Sequence, residues 1–180
     1  MITSTNKDYI QRKEVKMNNE AFIDGQNLYM GTKFAKNPWI INLLKFRIYL
    51  KDKFKVSRAY YFIGYYDSKH ESLYDEITNA GFILVFRKHS KKSKAIKKGN
   101  VDTDIVFEIM KKFIEREKLD KVVLVSGDGD YYKLVDYLVK KNRFLKLIAP
   151  CEGRMSSLYQ DLNGKFYLYL NRPEIIKKIS

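Results

Sequence analysis

Cysteine is almost missing from this chain: Cys151 is the only one in 180 residues, so neither an internal disulfide nor a cysteine-based zinc cluster can form. Only two histidines, His70 and His89, are present, which leaves little basis for a histidine-rich zinc site or a paired-histidine acid–base mechanism. Three prolines and nine glycines are too few for long linkers or low-complexity stretches, and no repeat interrupts the chain. No apolar run approaches the roughly 20 residues of a membrane span, and the polar N-terminus lacks a signal-peptide core. The expectation is a cytoplasmic protein with no membrane partner. Acidic residues are also in the minority, 21 against 35 Lys and Arg, for a formal charge of +14; that balance favours a polyanion, nucleic acid first. What is plentiful is apolar surface: 45% hydrophobic residues suit one domain with a sizeable core.

The hydrophobic pattern alternates strands with helices. Residues 1–18 are polar and read as an N-terminal arm. Ala21-Phe22-Ile23 is a short apolar run ended by Asp24-Gly25, a strand entering a turn. After Pro38, apolar residues recur at helical spacing from Trp39 to Leu50, predicting a helix with proline in its first turn. Residues 56–65 are β-branched and aromatic, 71–80 look helical, and Phe82-Ile83-Leu84-Val85-Phe86 suits a strand covered on both faces. A helix over about 102–117 follows, then the strand Val122-Val123-Leu124-Val125, a helix over about 130–141 and a strand over 144–149. This order predicts an α/β fold, a three-layer α/β/α sandwich with right-handed parallel crossovers. Residues 151–180 are expected to form an extension packed on a domain spanning 19–150, with a helix near 154–162, the segment 166–170 and a last helix through Ile175-Ile176.

Acids stand at the strand ends. Asp24 closes the first strand, Asp102 opens the helix after the third, and Ser126-Gly127-Asp128-Gly129-Asp130 follows the most apolar strand. In an open α/β sheet ligands bind outside the carboxyl ends of the strands, where such scattered acids can meet. Each has a plainer reading: Asp24-Gly25 as a turn, Asn27 and Asp102 as helix caps, Asp104 as a favourable charge in a first turn. Asp128 and Asp130 are harder to explain that way, although Asp130 could cap the next helix. Asp104 and Glu108 share a helix face and, with Ser126, are candidates for supporting the acids. Gly127 and Gly129 lack the lysine and hydroxyl spacing of a P-loop, which disfavours a nucleoside-triphosphate enzyme.

Ile23-Asp24-Gly25 with Asn27, Lys98-Gly99 before Val101-Asp102, and Val125-Ser126-Gly127-Asp128-Gly129-Asp130-Tyr131 together resemble the NYN domain, a branch of the PIN-like nuclease superfamily, over roughly residues 20–150. Two features depart from the family pattern: Asn100 is inserted between Lys-Gly and Val-Asp, and Glu108 stands where many relatives carry a second helical aspartate. The resemblance implies a mainly parallel five-stranded sheet of order 3-2-1-4-5 and a Mg2+- or Mn2+-dependent ribonuclease, with endonucleolytic cleavage the expected mode. It assigns metal binding to Asp24, Asp102, Asp128 and Asp130, with Asn27 orienting a ligand or phosphate. Physical chemistry agrees, because two carboxylates about 4 Å apart repel by roughly 4 kcal/mol at an effective dielectric near 20, and hard divalent ions prefer oxygen ligands.

The segment from Arg87 to Lys98 is strongly basic. Arg87, Lys88, Lys91, Lys92, Lys94, Lys97 and Lys98 are candidates to hold an RNA backbone beside Asp102, the alternative being a solvated loop. Aromatics make up 14% of the chain and could stack on unpaired bases, although strand alternation buries many of them. Tyr29 and Tyr131 lie nearest the acids in sequence. The expected partner is RNA, single-stranded or structured, and a homo-oligomer is compatible with the sequence. Two other readings stay open: a non-catalytic RNA-binding or regulatory module, and a structure-selective nuclease acting on DNA.

Overall fold

The protein is described by a computed structural model covering residues 17–87 and 101–180. Its strands are β1 (Asn19–Asp24), β2 (Val56–Ile63), β3 (Ile83–Phe86), β4 (Val122–Val125), β5 (Phe144–Ala149) and β6 (Tyr167–Tyr169). They form one sheet in the order 3-2-1-4-5-6, and every pair is parallel. The helices are α1 (Gly25–Lys33), α2 (Leu43–Phe54), α3 (Glu71–Asn79), α4 (Asp102–Ile114), α5 (Tyr132–Lys140) and α6 (Pro173–Ile179). The odd-numbered β1 residues Ala21 and Ile23 face a core built with α1, α2, α3 and α6. The even-numbered Phe22 faces a second core with α4 and α5. The three-layer α/β/α sandwich expected from the sequence is therefore present.

The sheet has six strands rather than five. Tyr167–Tyr169 pairs in parallel with Leu147, Ile148 and Ala149 at the edge beyond β5. The helix expected near 154–162 is replaced by two 3-10 turns, Glu152–Arg154 and Ser157–Tyr159, because this stretch is tied to the loop after β4, as described below. The helix expected from Pro38 starts only at Leu43. There the Asn42 side chain accepts from the Lys45 N–H at 2.9 Å, a cap that fixes the start more firmly than proline does. β3 is an edge strand with Ile83 42% exposed, not one covered on both faces. α1 follows β1 with no intervening loop, where the sequence pattern predicts a turn at Asp24-Gly25 with Asn27 as a helix cap; the cap is Asp24.

β1 and β4 are buried along their whole length because each has a strand on either side and helices above and below. Being neighbours in a parallel sheet, they deliver Asp24 and the 126–130 loop to the same edge. No described helix is long and apolar enough to cross a membrane.

Candidate metal centre

Asp24 ends β1 and caps α1, its Oδ1 accepting from the Asn27 N–H at 2.9 Å. Asn27 then reaches across to β4: its Oδ1 accepts from the Gly127 N–H at 2.9 Å. Ser126, fully buried, donates to Asp24 Oδ2 at 3.5 Å while its Oγ accepts from the Asp128 N–H at 3.1 Å. Asp128 caps the 3-10 turn Gly129–Tyr131 by accepting from the Asp130 N–H at 3.0 Å. The loop is thus a chain of side-chain caps, each holding the next backbone unit.

That turn swings Tyr131 inward. Its buried hydroxyl donates to Asp102 Oδ1 at 2.7 Å and lies 3.3 Å from Asp24 Oδ2. A phenol has one proton to give, so it ties the two acids together without neutralising either. Burial and then the Asp24 charge push the Tyr131 hydroxyl far above its usual range, which keeps it a donor.

Asp102, Asp128 and Asp130 each bring a carboxylate oxygen within 4.8 Å of the others. Asp24 sits beneath them, nearly buried, its oxygens engaged by Asn27, Ser126 and Tyr131. Burial first, and further the charges of Asp102 and Asp128, raise its pKa to about 6. Exposed Asp130 is also raised, by Asp128 and then Asp102. Acids that resist ionisation because other acids face them form a site short of positive charge. An all-oxygen donor set of this kind fits a hard divalent cation.

A cleft of about 550 Å³ opens beside the cluster, between Asp128 and Asp130 on one wall and Arg154, Met155 and Leu158 on the other. The second wall belongs to the segment after β5 and is bolted to the first. The Gly127 carbonyl accepts from the Ser156 N–H at 2.8 Å, and the Tyr159 hydroxyl donates to the Asp128 carbonyl at 2.7 Å. A Cβ at residue 127 would lie 2.0 Å from the Arg154 carbonyl oxygen, so only glycine allows the two walls to meet. The sequence pattern predicts a helix near 154–162 for this wall and carries no sign that it, or Tyr159, borders the acids.

The other residues singled out from the sequence fall as follows. Asp102 is the first residue of α4 and Val101 its cap. Asp104 faces Arg87, whose Nε is 3.9 Å from its Oδ2, and Arg87 also lies over the Tyr65 ring. Glu108 is half-buried further along α4 and outside the group of three. Lys88, Lys91, Lys92, Lys94, Lys97 and Lys98 lie outside the described residues.

The family model described as "NYN domain" matches residues 21–167. The chain belongs to the NYN domain family. It is 25% identical over 171 residues to the low amplitude and bright protein LabA of Synechococcus elongatus, spanning 85% of this chain and 89% of LabA. It shares its fold with VPA0982 of Vibrio parahaemolyticus, a protein of unknown function, at a TM-score of 0.71 and 20% identity over 89% of this chain and 96% of that one. NYN domains are a PIN-like, nuclease-type family in which divalent metals are typical, and the acids of this member fit that chemistry.

Proposed function

We propose that this NYN protein is a metal-dependent ribonuclease that hydrolyses RNA phosphodiester bonds in the cleft beside Asp102, Asp128 and Asp130. The observation that carries the reading is the convergence of those three carboxylates within 4.8 Å at the carboxyl edge of the sheet, in a chain of a nuclease-type family. Asp102, Asp128 and Asp130 would hold Mg2+ or Mn2+, with Asp24 supporting them from below. When bound, such an ion acidifies a coordinated water and neutralises charge growing on a phosphate.

The chain's own residues set the stage for that chemistry. Tyr131 fixes Asp102 against Asp24 by its hydroxyl. Asn27 and Ser126 hold the backbone of residues 127 and 128, so the acids do not swing apart when their charges repel. The formal charge of +14 draws RNA to the molecule, and the basic residues from Arg87 to Lys98 would hold its backbone near α4.

End-labelled RNA and DNA incubated with magnesium, manganese or chelator test this. RNA cleavage that needs the metal and vanishes in Asp128→Asn is the expected result. Cleavage indifferent to chelator, or retained by Asp128→Asn, overturns the reading. Metal-dependent cleavage of DNA alone would reassign the substrate.

A further inference from the structure

We propose that Arg154, together with the exposed aromatic pair Tyr29 and Phe34, forms a binding track for an unpaired nucleic-acid strand leading out of the acid cleft. The inference rests on the nuclease reading of the cleft and adds where, and in what form, the strand lies.

The first observation is charge. Among the described residues lining the cleft, Arg154 alone is basic, and it stands opposite Asp128 and Asp130. Its guanidinium donates to the Phe34 carbonyl at 3.4 Å and pairs with no carboxylate among the described residues. An arginine opposite two acids, yet bonded to neither, has donors left for a phosphate oxygen, and guanidinium geometry suits that acceptor.

The second observation is rigidity. The Arg154 backbone is held by its own N–H to the Cys151 carbonyl at 3.2 Å and by the close packing of Gly127 against its carbonyl. Its position is therefore registered to the Asp128 loop. A phosphate bound at Arg154 would be placed at a set distance from the carboxylates, and a nucleotide chain has the regular spacing to use such a ruler.

Beyond Arg154 the surface changes character. Phe34, whose carbonyl Arg154 contacts, is 56% exposed, and Tyr29 is 48% exposed. Their rings meet edge to face at 5.8 Å, with Lys33 Nζ over the Tyr29 ring at 5.3 Å. Leu158 on the cleft wall is 52% exposed. Aromatic faces beside a cation are what successive unpaired bases and their phosphates recognise; a duplex has its bases stacked on each other and offers none to such rings. Tyr29 and Phe34 are not needed to fill the core, which closes without them.

The two halves of the track leave different signatures in one experiment. A fluorescent oligouridylate of about ten nucleotides is titrated by anisotropy in chelator over a range of salt, with an oligothymidylate and a blunt RNA duplex in parallel. Arg154→Gln should weaken oligouridylate binding roughly tenfold and lower the salt slope by about 0.7, the loss of one phosphate contact. Tyr29→Ala with Phe34→Ala should weaken it at least about tenfold, since two stacking faces are removed, and leave the salt slope unchanged. The oligothymidylate shows whether the track distinguishes the sugars, and the duplex should bind more weakly than the single strand. Manganese affinity, read by calorimetry, should be the same in all variants. The track is overturned if the wild type binds the oligonucleotide and both variants match it, if the duplex binds as well as the strand, or if the variants lose manganese along with RNA, which would make these residues structural. A wild type that binds no nucleic acid at all would instead sink the nuclease reading on which the track rests.

Discussion

β1 and α4 meet twice, and the two meetings are opposites. At the carboxyl end of β1, Asp24 faces Asp102 at the start of α4, with Asp128 and Asp130 beyond. At the amino end Glu20, on the same strand face and fully buried, faces Lys112, whose Nζ is 3.5 Å away, and Arg58. α4 therefore runs antiparallel to β1. Ten residues of helix rise about 15 Å and four residues of strand about 13 Å, which is why one helix reaches both acids. Glu20 has its countercharges built in, Arg58 and Lys112, which Glu117 and the Tyr60 hydroxyl join into a network. Asp24 has neutral donors in the Asn27 N–H, Ser126 and Tyr131, but the charges that face it, Asp102 and Asp128, are acids. The same pair of elements stores an acid at one end with its cations supplied, and at the other sets it among acids with no cation among the described residues against it. A buried carboxylate is thus no sign of function by itself; the sign of its neighbours decides.

The comparison can be broken from either side. The largest effect is expected at the closed end. Lys112→Met leaves Glu20 short of a buried partner and should cost about 3–5 kcal/mol in chemical denaturation, with divalent affinity unchanged. At the open end the direction reverses. The pKa of Asp24 is raised to about 6 from the ordinary aspartate range, so ionising it opposes folding: the penalty is absent below about pH 4, grows toward pH 6 and is complete above. In chelator at pH 7.5, Asp24→Asn should stabilise the protein by up to about 3 kcal/mol, and at pH 3.5 by nothing; its Oδ1 can still cap α1. A wild-type stability that rises between pH 4 and 7 through this residue would contradict the account.

Smaller effects sharpen the boundary of the site. Gly127→Ala puts a methyl group 2.0 Å from the Arg154 carbonyl oxygen and should cost about 1–3 kcal/mol while weakening divalent binding, because the Asp128 loop must move. Asp104→Asn touches only a partly exposed pair with Arg87 at 3.9 Å. It should change stability by less than about 0.5 kcal/mol and leave metal affinity as it was; a loss of affinity there would enlarge the site.

The legible parts of this site were those written in consecutive residues. β1 and β4 are short apolar runs that end in acids beside glycine, and their partnership follows from the strand order that the NYN resemblance implies, so Asp24, Asp128 and Asp130 could be placed at one edge. α1 was hidden by its own composition. Gly25, Asn27 and Gly31 are poor helix formers, yet a Cβ at Gly31 would sit 2.3 Å from the Pro150 side chain, so packing selects the residue that propensity disfavours. β6 is three residues long and becomes a strand only because β5 offers an unpaired edge. Tyr131 and Tyr159 act through their hydroxyls, the first on Asp102 and Asp24 and the second on the Asp128 carbonyl. Nothing in a hydrophobic period records such a contact, although the adjacency of Tyr131 to Asp130 was a signal of sorts. The wall from 152 to 159 was read as helix because its backbone commitments, above all the Ser156 N–H to the Gly127 carbonyl, are made to a loop some thirty residues away.

The central claim is that the open end of β1 is completed by a divalent cation and the closed end is not. Manganese titration followed by calorimetry and by melting temperature, on the wild type, Asp128→Asn and Lys112→Met, tests it directly. The account predicts saturable manganese binding and a rising melting temperature in the wild type. It predicts the same binding in the less stable Lys112→Met, and loss of both responses in Asp128→Asn. Equal manganese binding by Asp128→Asn and the wild type, or a wild type whose melting temperature ignores manganese, would contradict it.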